Sequence, residues 1–298
     1  MSELAKAPAP TAQEIVEETY SPVKDFWRRL KKNKLAMTSL VFLIGLVLMA
    51  IFAPYIAPYD PINGVMSDAL QEPSAQHWLG TDELGRDILS RIIYGARISL
   101  KVGLMAVAIA LSMGTVLGSI AGYFGGRIDN LIMRLMDIML SFPSMLLAIA
   151  FMAALGRGIE NAIIAISIVT MPEYARIVRG SVLSIKESDY VQAARAIGNK
   201  DMSIIFKHIM PNVLAPIIVR GTMGISTAIL DTAALGFLGL GVQPPDAEWG
   251  TMLGAGRNYL FNAPHLVMFP GIAITLTVMT FNLLGDGLRD ALDPRLRS

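Results

Sequence analysis

Gly80 and Gly85, in "GTDELGR", come nearest in this 298-residue chain to a phosphate-cradling loop. A loop of that kind closes with Lys and Ser or Thr, which reach the phosphates and a magnesium ion. Arg86 and Asp87 stand there instead, so nucleotide binding by this chain is rejected. Metal chemistry is no better served. There is no cysteine, and His77, His208 and His265 are too far apart in sequence for ligand spacing. No nucleophile stands near a base in an enzyme-like pattern, so no catalytic residue is expected.

Two sets of residues remain that could act. The first is charge within apolar sequence: Asp137, Glu173, Arg220 and Asp231. An unpaired Asp at bilayer depth costs about 2.5–3.5 kcal/mol on insertion scales, so each such group is a functional candidate by default. Asp231 and Arg220 are eleven residues apart, on one helical face but beyond direct pairing. Structural pairing with another helix and lining of a water-filled pore both fit Asp231. Glu173 and Arg176 are three apart, and a local pair is the simpler account.

The second set is the polar stretch "DYVQAARAIGNKDMSIIFKHIMPN", residues 189–212, set between apolar runs. It divides into two short helices at Gly198-Asn199, residues that accept left-handed backbone at a helix end. Ala193 and Ala194 allow close approach of another surface. Val191, Ile197, Ile204 and Ile205 offer it apolar contact, and Pro211 ends the second helix.

These residues must be positioned by membrane helices. The chain is 53% apolar and 16% charged, against about 25% charge in soluble domains. A span needs about 20 apolar residues. Residues 35–56, 102–124, 132–155, 161–182, 213–235 and 266–288 qualify, giving six transmembrane helices in an all-α polytopic protein. Pro143 should kink the third. The fourth is the weakest, because its extension takes in Glu173, Arg176 and Arg179, whose side chains would snorkel. Met133, Met136 and Met139 share one helical face and are expected to pack.

Lys24, Arg28, Arg29, Lys31, Lys32 and Lys34 precede the first span and place the N-terminus in the cytoplasm. An even count returns the C-terminus there, with Arg289, Arg295 and Arg297, and puts residues 189–212 inside as well. Residues 1–34 hold no signal peptide, only a Pro/Ala-rich tail. The domains then divide as a tail at 1–34, a first helix with an extracytoplasmic amphipathic segment at 35–100, and a core of five transmembrane helices at 101–298. The amphipathic segment, at 77–100, would lie on the outer surface or dock against the spans. Lys plus Arg (25) nearly balance Asp plus Glu (24), so net charge favours no partner, and nucleic acid is not expected.

Gln192-Ala193-Ala194, a glycine six residues after the Gln, and a proline thirteen after that resemble the EAA loop of ABC importer permeases. Gln192 stands where that family usually has Glu, and "HIMP" is the peptide-permease variant. "HWLGTDELGRDILSRIIYGARISL", "AGYFGGRIDNLIMRLMDIMLSFP", "LGFLGLGVQPPDAEWGTML" and "GDGLRDALDPRLR" are similar to the dipeptide/oligopeptide/nickel branch, so the resemblance spans residues 27–297. At Asp231-Thr232 that branch has its acidic residue one position later.

The resemblance implies a type I ABC importer permease fold. It also implies a coupling loop at 183–212, in which Gln192, Ala193, Ala194, Gly198, His208 and Pro211 engage a cytoplasmic ATPase. A homologous second permease, two ATPase subunits, an extracytoplasmic substrate-binding protein and the lipid bilayer are the expected partners. ATP and magnesium would sit on the ATPases, with no cofactor in this chain, and the location would be a bacterial or archaeal cell membrane. The cargo would be dipeptides or oligopeptides, with nickel chelates or other small solutes as alternatives. An ion-coupled secondary transporter is the rival class. Asp137, Glu173 and Asp231 would supply its acids, but the two halves show no repeated helix pattern.

Overall fold

The computed structural model describes residues 22–292; the Pro/Ala-rich stretch, Arg295 and Arg297 lie outside the described residues. Every regular element within them is helical. Basic, amphipathic α1 (Pro22–Lys32) leads to Asn33, whose side chain accepts from the Ala36 N–H at 3.1 Å and starts α2 (Lys34–Ile51). A single turn, α3 (Ala53–Ile56), follows.

The amphipathic segment expected at 77–100 is no separate helix. Residues 77–87 form a tight turn. Asp82 accepts from the Leu84 and Arg86 N–H groups and pairs with the guanidinium groups of Arg86 (2.7 Å) and Arg91 (3.4 Å). Asp87 bonds His77 at 3.0 Å and caps α4 (Ile88–Phe124) by accepting from the Ser90 N–H at 2.8 Å. Nothing between that cap and Phe124 breaks the helix. Residues 88–100 are therefore the first turns of one 37-residue helix, and the boundary drawn at residue 100 falls inside it. At about 1.5 Å per residue α4 is some 55 Å long, well over a bilayer core of about 30 Å.

Pro143 does more than kink the third span. It separates α5 (Gly126–Leu140) from α6 (Ser144–Leu155), which lie at 93° to each other. Proline withholds an N–H and drives the residue before it out of helical geometry. The Ser141 N–H meanwhile closes α5 on the Asp137 and Ile138 carbonyls. Gly158 then leads into α7 (Ile159–Lys186), which is continuous through Pro172. The span that looked weakest is the most enclosed: 61% of its apolar window is buried, against 22% for α2.

The packing of α4 on α7 shows why. Gly114, Gly118 and Gly122 recur every four residues on α4 and face Tyr174, Val178 and Val182 on α7. A Cβ on Gly118 or Gly122 would lie 2.9 Å from the Cβ of Val178 or Val182 respectively. The numbering rises together on both helices, so they run parallel, with α5 and α6 as the crossover. Close backbone approach through small residues is the main route to helix association where apolar burial gives no drive. Met136 is buried in the adjoining core, with Met133 and Met139 packed against it.

Beyond α7 come α8 (Asp189–Ala196) and α9 (Asp201–Ile204). Pro211 does not end the second of these. A π-turn at Ile205–Ile209 joins it to α10 (Met210–Phe237), so Asp201–Phe237 is one rod. In the π-turn the Met210 N–H reaches back to the Ile205 carbonyl. The ladder is thus already displaced by one residue where proline supplies no donor.

Glu248 caps α11 (Trp249–Gly256), accepting from the Gly250 and Thr251 N–H groups at 2.9 and 2.8 Å. Burial pushes its carboxyl pKa up, opposed by those N–H groups. Finally α12 (His265–Leu292) returns to α1, where Leu30, Ala36 and Ala291 are buried together. Among the described residues five helices are long and apolar enough to cross a membrane, and the bent α5–α6 pair makes a sixth when counted as one span.

Candidate functional site

Gly198 ends α8 in the left-handed conformation, at φ +81°. The Asn199 N–H bonds the Ala194 carbonyl at 3.2 Å and the Gly198 N–H bonds that of Arg195 at 3.0 Å. That pair of bonds is a Schellman closure, which satisfies carbonyls that a helix end leaves free. Lys200 then turns the chain into α9, and the two helices form a bent platform at one end of the bundle.

The platform is fixed to the spans by an apolar core that takes residues expected to face outward. Val191 and Ile204 are fully buried, and Ala194 and Ile205 nearly so, among Tyr123, Val178 and Val182. Of the four apolar residues expected on the outer face only Ile197 is there, 81% exposed. Ala193 is exposed beside Gln192, so the two alanines face opposite ways. His208 is half-buried in the π-turn and Pro211 is exposed just beyond it. Met202 and Phe206 add exposed apolar surface that the sequence did not single out.

Polar ties complete the attachment. The Tyr123 hydroxyl at the end of α4 donates to Asp201 at 2.6 Å, and the Arg195 guanidinium lies 5.5 Å from the Tyr123 ring centroid. Lys186 donates to the Gly122 carbonyl at 3.1 Å. Tyr123 and Asp201 are 78 residues apart, so no local pattern announces the pair.

The local Glu173–Arg176 pair does not form. Each side chain reaches to another helix, because α5 and α10 flank α7. Arg179 holds Asp129 on α5 with two bonds of 2.5 and 2.6 Å, the fork geometry that suits guanidinium and carboxylate. Arg176 meets Asp137, also on α5, at 2.7 Å. Glu173 pairs with Arg220 on α10. Asp129 was not picked out from the sequence, although its "GGRIDN" context puts it at a helix start.

Arg220, Gly224, Thr227 and Asp231 follow at steps of four, three and four along α10. They share a cavity with Glu173 and Tyr174. Asp231 is half-buried and, among the described residues, has neither a cation nor a hydrogen-bond donor as partner. Asp137 lies apart, in a second recess with Asn130 and Arg134. The structure therefore gathers Glu173, Arg220 and Asp231 and leaves Asp137 outside.

Comparison with known proteins follows this architecture closely. Residues 114–298 match the model of the "binding-protein-dependent transport system inner membrane component", and residues 21–73 match the "N-terminal TM domain of oligopeptide transport permease C". The chain is 54% identical over 278 residues to a dipeptide transport system permease protein of Alkalihalophilus pseudofirmus, covering 93% of this chain and 91% of that one. It is 51% identical over 284 residues to a di/tripeptide transport system permease protein of Pseudomonas aeruginosa, covering 93% and 94%. A glutathione transport system permease protein of Escherichia coli is 50% identical over 282 residues, covering 94% and 93%.

Among solved structures, the MetNI methionine ABC transporter in an inward-facing conformation superposes with a TM-score of 0.58 at 19% identity, over 69% of this chain and 98% of that chain. An amino acid ABC transporter gives 0.53 at 16% identity, over 67% and 94%. These two speak for the fold alone.

Proposed function

The chain belongs to the family of binding-protein-dependent transport system inner membrane components, and from that premise we propose that it imports dipeptides and oligopeptides as half of an ATP-driven permease pair. It is a multi-pass membrane permease of the type I importer fold. The observation that carries the cargo assignment is the set of relatives at 50–54% identity, named for dipeptides, di/tripeptides and glutathione. Those cargoes share a free ammonium, an amide backbone and a carboxylate.

On this proposal a homologous permease completes the pathway, and two cytoplasmic ATPase subunits hydrolyse magnesium-bound ATP. An extracytoplasmic binding protein delivers peptide. The α8–α9 platform faces the cytoplasm and is the docking element, with Gln192, Ala193, Ile197 and Phe206 on its free surface. A short helix with an exposed small residue suits a groove on the ATPase. Its buried underside, keyed to α4, α7 and α10, supports transmission of a displacement into the spans. ATP closes the ATPases, the platforms move, and the cavity between the permeases exchanges inward for outward access.

The test is purification from detergent together with uptake in proteoliposomes. The chain should carry an ATPase with it, and the assembled complex should take up dipeptide only with ATP and the binding protein. The isolated chain should bind no ATP at millimolar concentration. Uptake driven by an ion gradient without an ATPase would refute the proposal.

A further inference from the structure

The cavity between α7 and α10 holds three charged groups, and they do not balance. Glu173 and Arg220 neutralise each other across the two helices. Asp231 is left without a counter-charge among the described residues, so the cavity carries one net negative charge. Asp231 lies six residues before the end of α10, about 9 Å along the helix axis from Phe237. Its neighbours on the same strip include the exposed Thr227.

A strip of Arg, Thr and Asp on a spanning helix is not tolerated against lipid. Such groups turn toward a partner helix or a water-filled path. Two further features bear on what the strip would hold. The aromatic residues Phe142 and Tyr174 line the same cavity, and aromatic faces attract alkylammonium groups. The Arg220 guanidinium lines the other end of the cavity and gives Glu173 a bond from one of its nitrogens, which leaves other N–H groups on that guanidinium.

The geometry points to Asp231 as the docking point for an alkylammonium group in the cargo, its N-terminal ammonium or a lysine side chain, within the translocation path. This rests on the permease proposal above. The single carboxylate holds the cation, in a cavity that Phe142 and Tyr174 also line. The Arg220 guanidinium, at the other end of the strip, offers the N–H groups not used by Glu173 to the oxygens that follow along the peptide. Binding at this point is weak, because one half-buried carboxylate must also let the cargo go.

Because this chain has no cysteine, an introduced one is its only thiol and is read on this subunit after the complex is separated. In the full complex of permeases and ATPases, Thr227→Cys is treated with 2-aminoethyl and 2-sulfonatoethyl methanethiosulfonate, a cation and an anion of similar size. With Asp231 present the cationic reagent should react faster by about tenfold, given a carboxylate one helical turn away. Asp231→Asn should abolish that preference and Asp231→Glu should retain it, with co-purification of the partner permease confirming assembly of all three. Ala-Ala should protect the cysteine and N-acetyl-Ala-Ala should not, with both added directly at millimolar concentration. Protection by N-acetyl-lysine amide as well would extend the site to lysine side chains.

Three results overturn the proposal. Equal reagent rates with and without Asp231 would show that its charge does not act on the path. A cysteine unreactive in the assembled complex would show that the partner permease covers the strip. Protection by potassium chloride equal to that by Ala-Ala would make it an inorganic cation site. The reagent ratio does not depend on which solute is transported, so a failure of peptide uptake alone would sink the cargo assignment and leave this ratio standing.

Discussion

Replacing Gly198 separates two explanations for a glycine in the docking platform, a backbone requirement and close approach of the ATPase. Gly198 sits at φ +81°, and a Cβ built there meets nothing within 4 Å inside this chain. Any cost within the chain is therefore conformational. An L-residue in the left-handed region costs about 1–2 kcal/mol, which is about 5–30-fold in the population of the bent platform. A β-branched residue is worse placed still, whereas asparagine enters this region readily. Uptake and retention of the ATPase, measured in membranes with matched permease levels, should therefore rank Gly, then Asn, then Ala, then Val. Thermal stability should change little, because the spans are untouched. If Val equals Asn, left-handed geometry is not what the position requires. If Asn fails as badly as Val, it is the added side chain that fails, and the glycine serves close contact with the partner.

Ala193→Glu should leave the permease assembled in the membrane yet lose the ATPase, since that side chain is exposed and burying its charge in a protein contact is costly. Ala194→Glu should instead destabilise the platform itself, read as faster proteolysis at Gly198, because Ala194 is only 5% exposed. Gly118→Leu should lower the melting temperature and yield of the detergent-solubilised chain, since a Cβ alone would already stand 2.9 Å from that of Val178. Single cysteines at Asp68 and Asp246 should label from outside with an impermeant thiol reagent, and one at Lys200 should not; external labelling of Lys200→Cys would invert the proposed topology.

The existence of the spans was legible because it depends on apolar runs, a local property of sequence. Their ends were less so, because local and tertiary signals compete there. Asp87 is a sound N-cap, yet Leu84, Ile88 and Ile92 set opposite Glu83, Arg86 and Asp87 suggested a separate helix, on the outer surface or docked against the spans. The buried pairing of Arg91 with Asp82 and the bond from the Trp249 indole to the Ile92 carbonyl show that the first turns of α4 are packed rather than wetted. Pro143 and Pro211 illustrate the limit from opposite sides. The same residue type turns the chain by 93° at one site and is carried within a continuous rod at the other. Pro172, Pro216 and Pro270 are likewise carried inside helices, so residue type alone does not record which proline breaks the chain. For the platform, the Gly198 break followed from a known conformational preference. Which alanine faced out did not, because that depends on Val178, Val182 and Tyr123, brought in from helices far along the chain.

The three ion pairs on α7 and the rod from α9 through α10 together define what can move. Arg176 and Arg179 bind α7 to α5, while Glu173 binds it to α10. Two of those links therefore keep α5 with α7, and one joins them to the rod. The rod itself begins in the platform at Asp201 and contains Arg220 and Asp231 with no intervening loop. A push on α9 thus reaches the cavity through helix alone, interrupted in its ladder at the π-turn and at Pro216, which supplies no N–H. On the proposed mechanism, compliance belongs at Ile205–Ile209 and the switchable contact is Glu173–Arg220. That bond alone among the three couples the α5–α7 pair to the helix the ATPase would move.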